Sequence, residues 1–241
     1  MKYSVAVIIP TYNRARTLRR ALESVFGQTR QPEEVCVIDD GSTDSTEVLV
    51  KEHFPQVIYI RQQNLGVSAA RNAGVEATSS DCVAFLDSDD EWLPKKLEVQ
   101  LSELEASPDI RLVHSDEIWI RNGKRVNQMH KHKKSGGYIF PLCLPLCAIS
   151  PSAAVLHRSL LVDVGGFDES LPACEDYDLW LRICCKERVL YVDTPLLMKY
   201  GGHEDQLSKL YWGMDRFRVH SLAKLLSGAS LDAEQERLAQ K

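Results

Sequence analysis

An α/β fold, with a mostly parallel central sheet and helices on both faces, is predicted by three observations. Short apolar runs without polar alternation, at residues 5–9, 35–38 and 82–86, read as strands buried on both faces. Stretches with helical spacing separate them, so strand and helix alternate three or four times before residue 115. Polar and charged residues gather just past the C-terminal ends of these runs, where open α/β sheets bind their ligands.

The first run ends at Pro10 and opens into Thr11-Tyr12-Asn13-Arg14; Leu18, Ala21, Leu22, Val25 and Phe26 then predict a helix that Gly27 stops. The strand over 35–38 leads into Asp39-Asp40-Gly41-Ser42-Thr43-Asp44. Asp44 and Glu47 have the spacing of a capping box for a helix to about His53. A third strand is expected over 57–60, and Asn64-Leu65-Gly66 turns into a small-residue helix over 68–77 that carries Arg71 and Asn72. Cys82 to Leu86 is the central strand, followed directly by Asp87, Ser88, Asp89 and Asp90. Pro94 begins a helix with Leu97, Leu101 and Leu104 on one stripe.

The pattern changes after residues 110–114. A hairpin is predicted over 117–126 around Asn122-Gly123. His130 to Gly137 reads as a basic, solvated loop, and the stretch 139–149, broken by Pro141 and Pro145, as irregular core. A short helix over 159–164 stops at Gly165-Gly166, and a helix over 176–185 is apolar nearly all round, so it is expected to be buried. A last strand covers 189–192, and the chain reads as helical from Trp212, with a break at Ser227-Gly228. One domain over 1–227, in halves divided at 115, and a polar helical tail over 228–241 follow from this reading.

The 241 residues are 44% hydrophobic and 26% charged, as in an ordinary soluble domain with a sizeable core. A net charge of −5 argues against general nucleic-acid binding. No apolar run approaches the roughly 18 residues of a membrane span, and no signal peptide is visible, so the expected location is cytoplasmic, with at most peripheral contact at the inner face of a membrane. Seven cysteines, an odd count in apolar surroundings, read as free thiols; none has the spacing of a zinc finger or ribbon. No G-x-G-x-x-G follows a strand, which excludes a dinucleotide-binding signature.

Asp87, Asp89 and Asp90 crowd one strand end, and like charges repel there unless a cation or positive partner sits between them. Oxygen-only ligands suit Mg²⁺ or Mn²⁺. Asp176 follows a loop and opens a rigid helix, which fixes its direction. A helix N-terminus and a nearby cation favour its ionised form, whereas burial opposes it. Blander readings stand beside these: Asp40 serves equally well as a turn residue, Asp44 as a helix cap, Asp178 and Arg182 as a structural ion pair, and Trp92 and Trp180 as core or pocket wall.

Together, Ile8-Ile9-Pro10-Thr11-Tyr12-Asn13-Arg14, Ile38-Asp39-Asp40-Gly41-Ser42-Thr43-Asp44, Asn64-Leu65-Gly66 with Arg71-Asn72, Phe85-Leu86-Asp87-Ser88-Asp89-Asp90, Gly165-Gly166-Phe167-Asp168-Glu169 and Glu175-Asp176-Tyr177-Asp178 resemble the family 2 glycosyltransferases, in that family's order from residue 5 to about 208. The resemblance implies a GT-A fold: a Rossmann-like, nucleotide-sugar-binding half over 1–115 and an acceptor and catalytic-base half over 116–227. It implies transfer, with inversion, of a sugar from a nucleotide diphosphate donor, with a UDP-sugar favoured. The acceptor would be a hydroxyl, lipid-linked or on a polysaccharide, in polysaccharide or glycoconjugate biosynthesis. Thr11 and Arg14 would lie near the nucleotide, Asp40 at its base with Asp39 beside it, and Arg71 near the diphosphate. Asp87-Ser88-Asp89 would be the DxD motif, Asp87 nearer the ribose and Asp89 on Mn²⁺ or Mg²⁺, with His203 a candidate further ligand. Asp176 would be the general base, with Gly166, Phe167, Glu175 and Trp180 on the acceptor side, and the 165–169 loop flexible enough to close. A sugar nucleotidyltransferase is the enzyme alternative, but the expected glycine-rich loop is missing from Thr11 to Arg16. An inactive nucleotide-sugar-binding domain is the other, opposed by intact Asp87, Asp89 and Asp176.

Overall fold

β1 (Val5–Thr11) is buried along its whole length. In the structure, a computed structural model that describes residues 2–202, 211–228 and 231–240, β1 lies between β2 (Glu34–Asp39) and β4 (Cys82–Phe85), parallel to both. β3 (Ile58–Arg61) extends the parallel run beyond β2. The crossovers are α1 (Ala15–Phe26), α2 (Thr46–His53) and α3 (Val67–Glu76). A strand covered on both faces needs apolar side chains at every position. In β1, Val5, Val7 and Ile9 share one core layer with Leu18, Leu22 and Val25 of α1, while Ile8 packs in the opposite layer.

The sequence predicts an end to the first strand at Pro10, yet β1 runs on to Thr11. The Ile8 carbonyl accepts from Leu86 on the β4 side, and the Thr11 carbonyl accepts from Asp40 on the β2 side. Backbone groups alternate between the two neighbours, so Pro10 faces the β4 side, past the last ladder pair of Ile8 with Phe85. Its missing N–H therefore removes no ladder bond.

α4 (Lys96–Ala106) adds Leu97, Leu101 and Leu104 to the layer of α1. β6 (Leu112–Arg121) and β4 are joined through β8 (Val155–His157), antiparallel to both. β9 (Leu190–Gly201) pairs parallel with β6, and β5 (Glu91–Trp92) pairs antiparallel with β9. β7 (Lys124–Val126) folds back on β6 through Asn122 and Gly123, at φ 50° and 74°, as the predicted hairpin requires. The nine strands among the described residues form one sheet, in the order β3-β2-β1-β4-β8-β6-β9-β5 with β7 on β6. The opposite layer is built from α5 (Phe140–Cys143), α6 (Arg158–Val164), α7 (Glu175–Cys184), and Leu225 of α8 (Asp215–Gly228). α9 (Ala233–Ala239) carries a capping box between Asp232 and Gln235, and Gln235 ties it to the Cys185 carbonyl at 2.7 Å.

Several local expectations are corrected. β9 is twelve residues long rather than four and passes through Pro195, at register shifts against β6 that absorb the missing donor. Asp44 forms no capping box with Glu47: it accepts from Thr46 N at 3.0 Å and Ala15 N at 3.1 Å, bridging the starts of α1 and α2. Glu47 pairs with Lys51 instead. The basic loop is not wholly solvated, since Lys134 is buried and meets buried Glu117 at 2.9 Å. All seven cysteines are free thiols, and no helix of the described residues is long and apolar enough to cross a membrane.

Candidate active site

A cleft of about 1040 Å³ opens beyond the C-terminal ends of β1, β2 and β4 and is closed on its far side by the start of α7, the end of β9 and α8. Of the residues singled out from the sequence, Thr11, Arg14, Asp40, Arg71, Asp87, Ser88, Asp89, Glu175 and Asp176 line it.

On the β1–β2 side, the Thr11 hydroxyl is buried and, among the described residues, has no hydrogen-bond partner. Arg14 Nη1 stands 3.4 Å from Asp89 Oδ2. Asp40 accepts from Gln62 Nε2 and from the Leu65 and Gly66 amides at 2.8–2.9 Å, which pins the loop ahead of α3. Gly41 makes this loop possible: at φ +87° its Cα hugs Asn64, and a Cβ would lie 3.1 Å from the Asn64 nitrogen. Asp39 does not reach the cleft. It is fully buried, accepting from Ser42 N at 2.7 Å and from the Tyr59 hydroxyl.

At the end of β4 the three carboxylates have separate fates. Asp87 is bound by Arg71 Nη2 at 2.8 Å. Asp90 is buried, accepting from the Ser152 hydroxyl at 2.7 Å and the Tyr200 amide at 2.9 Å. Burial, then the charges of Asp89 and Asp87, push its carboxyl well above the usual range, against Lys199 and Ser152. Asp89, with its side chain 20% exposed, stays on the cleft wall. Among the described residues no three His, Cys, Asp or Glu side chains converge to hold an ion alone. Asp89 and Asp87 do suit an oxygen-loving cation shared with substrate phosphates, since Mg²⁺ ordinarily takes only one or two protein carboxylates.

Arg71 is the hinge between the two walls. Its Nη1 reaches Glu175 Oε1 at 2.7 Å, across 104 positions of sequence, and its guanidinium lies over the Phe167 ring. Burial disfavours the Arg71 charge, but Asp87 and Glu175 outweigh it and raise its pKa. Glu175 is pushed up by burial and by the Asp176 charge, with Arg71 opposing. Glu175 thus pairs with Arg71 and makes no helix cap.

Asp176 sits at the start of α7, reached through Cys174 in the left-handed region at φ 60°. Such a conformation in a non-glycine residue is costly and recurs where side chains are aimed at functional sites. Asp176 Oδ2 accepts from the Cys147 thiol at 3.2 Å and Oδ1 from the Tyr177 amide at 2.7 Å. The Cys147 thiol is held protonated by burial and by that carboxylate.

Three predicted acceptor-side residues lie elsewhere. Trp180 is 1% exposed, in the core. Phe167 is 3% exposed, edge-on to Phe85 under Arg71. Gly166 packs so closely on Asn72 that a Cβ would lie 2.8 Å from its Oδ1. Asn72 also holds both backbone groups of Phe167 at 2.9 Å, and Arg182 holds the Gly166 carbonyl at 2.8 Å. The 165–169 loop is therefore strapped down rather than free to close. Arg182 and Asp178 form the expected i, i+4 pair, joined by Lys224. His203 lies outside the described residues.

Two charged cleft residues escaped the sequence reading. Lys199, late in β9, donates to Ser150 Oγ at 2.8 Å; burial would lower its pKa, but Glu117, Asp90, Asp87 and Asp176 raise it. Arg218 enters from α8. Neither belongs to a motif, and no local signal places either one there.

The family model for Glycosyl transferase family 2 matches residues 6–165. An uncharacterized glycosyltransferase of Rickettsia felis is 34% identical over 208 residues, covering 86% of this chain and 32% of that protein. An uncharacterized glycosyltransferase of Nostoc is 30% identical, covering 98% of this chain and 71% of its own length. Chondroitin synthase of Escherichia coli is 30% identical, covering 81% of this chain and 30% of that enzyme. The chain thus spans about a third of several curated relatives it matches. Crystal structures of S. aureus TarS superpose on 98% of the chain at 19–22% identity; the one in complex with UDP-GlcNAc has a TM-score of 0.78 over 70% of its length.

Proposed function

Because the chain belongs to glycosyl transferase family 2 and has the GT-A fold, we propose that it transfers a sugar, with inversion, from a UDP-sugar to a hydroxyl acceptor, in building a polysaccharide or glycoconjugate. The observation that carries this reading is the cleft itself, with Thr11, Asp40, Arg71, Asp87 and Asp89 on one wall and Asp176 on the other.

In this reading the nucleotide lies against Thr11, Arg14 and Ser88, with its base at the Asp40 loop. Asp40 already accepts three hydrogen bonds, which leaves about one more place on a carboxylate. Asp87 and Asp89 would hold Mn²⁺ or Mg²⁺, which as a Lewis acid would stabilise the charge on the departing diphosphate. Arg71 fixes Asp87 and Glu175 and so holds the two walls in register. Asp176 takes the proton of the acceptor hydroxyl. That oxygen bonds to the anomeric carbon from the face opposite the diphosphate, and the electron pair of the breaking bond leaves with the diphosphate. A positioned base of this kind contributes about 10²- to 10⁴-fold. UDP-GlcNAc bound to TarS favours a uridine donor here.

Isothermal titration with UDP and GDP, each with and without Mn²⁺, on wild type and Asp89→Ala tests the donor site. UDP binding that needs the cation and is lost in Asp89→Ala is expected. Binding of neither nucleotide under any condition would overturn the reading and favour a repurposed domain.

A further inference from the structure

Four cations line the cleft among the described residues: Arg14, Arg71, Lys199 and Arg218. Three answer to carboxylates of the cleft. Arg14 meets Asp89, Arg71 bridges Asp87 and Glu175, and Lys199 stands in the field of Asp87, Asp90 and Asp176. Arg218 is different. Its carboxylate partner is Asp215, one turn earlier on α8, at 3.3 Å and with its side chain 88% exposed. Asp215 is not part of the cleft wall, and a solvent-screened pair of this kind holds an arginine weakly.

Among the described residues the Nε of Arg218, itself buried, has no hydrogen-bond partner. Its guanidinium carbon lies 5.8 Å from the Tyr177 ring centroid, and the guanidinium also hydrogen-bonds the Cys174 sulfur, a weak acceptor that leaves the cation without a buried carboxylate. Cys174 and Tyr177 flank Glu175 and Asp176, so this cation stands on the wall of the proposed base. The donor wall is built from β1, β2, α3 and β4, on the opposite side of the cleft. The Arg218 side chain is 36% exposed, and a planar guanidinium with no buried carboxylate partner is suited to take a carboxylate or phosphate through parallel hydrogen bonds.

We propose that Arg218 is an anion-binding subsite for the acceptor: the molecule that brings its hydroxyl to Asp176 carries a phosphate or carboxylate close to that hydroxyl. This rests on the donor-site reading above. It makes the acceptor an anionic chain or headgroup and excludes a neutral sugar as the preferred partner.

The test uses UDP-loaded protein with Mg²⁺, titrated by saturation-transfer NMR with methyl β-D-glucuronide, glycerol 1-phosphate and neutral methyl β-D-glucoside. At least one anion should bind wild type more tightly than the glucoside, and which one does identifies the charged group. Arg218→Gln should weaken that anion about tenfold or more, with partial rescue in Arg218→Lys, while UDP affinity stays within about twofold. Equal anion binding in wild type and Arg218→Gln, or no preference for either anion over the glucoside, would overturn the subsite. So would weakened UDP binding in Arg218→Gln, which would assign the arginine to the donor. Failure of wild type to bind UDP at all would instead remove the donor reading, and the acceptor subsite with it.

Discussion

Asp39 and Asp40 are adjacent, alike in sequence, and opposite in fate. Successive strand residues point to opposite faces, so Asp39 ends β2 buried against Tyr59 and Ser42, whereas its neighbour reaches the cleft. The residue scale is also where the proposed roles separate. Asp176→Asn keeps the shape of the side chain and removes its basicity; UDP release from the donor is expected to fall about 10²- to 10⁴-fold while UDP affinity, read by titration, is unchanged, the donor being whichever UDP-sugar a donor screen finds active. Arg71→Met leaves buried Glu175 without its cation and frees Asp87. Removing one member of a buried pair costs about 3–5 kcal/mol, and urea unfolding should show a loss of that order. Unchanged stability would mean that Arg71 does not join the walls.

Gly74 shows how an element is held against the sheet. It lies on α3, and a Cβ there would collide with Ile8 Cγ2 of β1. Two effects oppose each other in Gly74→Ala. Helix propensity favours alanine by about 1 kcal/mol. Overpacking against a fully buried, β-branched neighbour costs about 1–3 kcal/mol. The clash should win, so chemical denaturation is expected to show net destabilisation, with α3 and its Arg71 displaced. A stabilised variant would mean that α3 can lift off β1 at little cost. Legibility also differs between elements. Strands β1, β2 and β4 could be read because a strand covered on both faces carries a continuous apolar run. β9 could be read only at its start, because its continuation past Pro195 depends on pairing with β6.

At the scale of the whole molecule, the buried group of His114, Glu117 and Lys134 ties β6 to the basic loop and should set the acid limit of stability. Burial, then the Lys134 charge, lowers His114 from 6.5 to about 3. Burial would raise Glu117, but Lys134, Lys199 and the Trp119 donor bring it from 4.5 down to about 2. Both folded values lie below the unfolded ones, so the unfolded chain takes up protons first as pH falls. The contribution of neutral His114 is complete above about pH 6.5 and is lost as pH falls towards 3. That of ionised Glu117 is complete above about 4.5 and is lost towards 2. Denaturation midpoints measured from pH 7 to 3 should decline throughout. In His114→Gln the decline between pH 6.5 and 4.5 should flatten; an unaltered slope would assign the upper window to other groups.

The sequence by itself determined the alternation of strand and helix, the strand ends where chemistry gathers, and the family to which those motifs belong. These are local matters: periodicity, turn residues and caps act within a few positions. Tertiary structure decided which carboxylates face the cleft, that Phe167 and Trp180 are core, that the 165–169 loop is strapped down, and that Lys199 and Arg218 complete the wall. Those outcomes depend on contacts such as that between Arg71 and Glu175, 104 positions apart. No local pattern encodes a partner at that separation, because the pairing exists only once the sheet has closed between them.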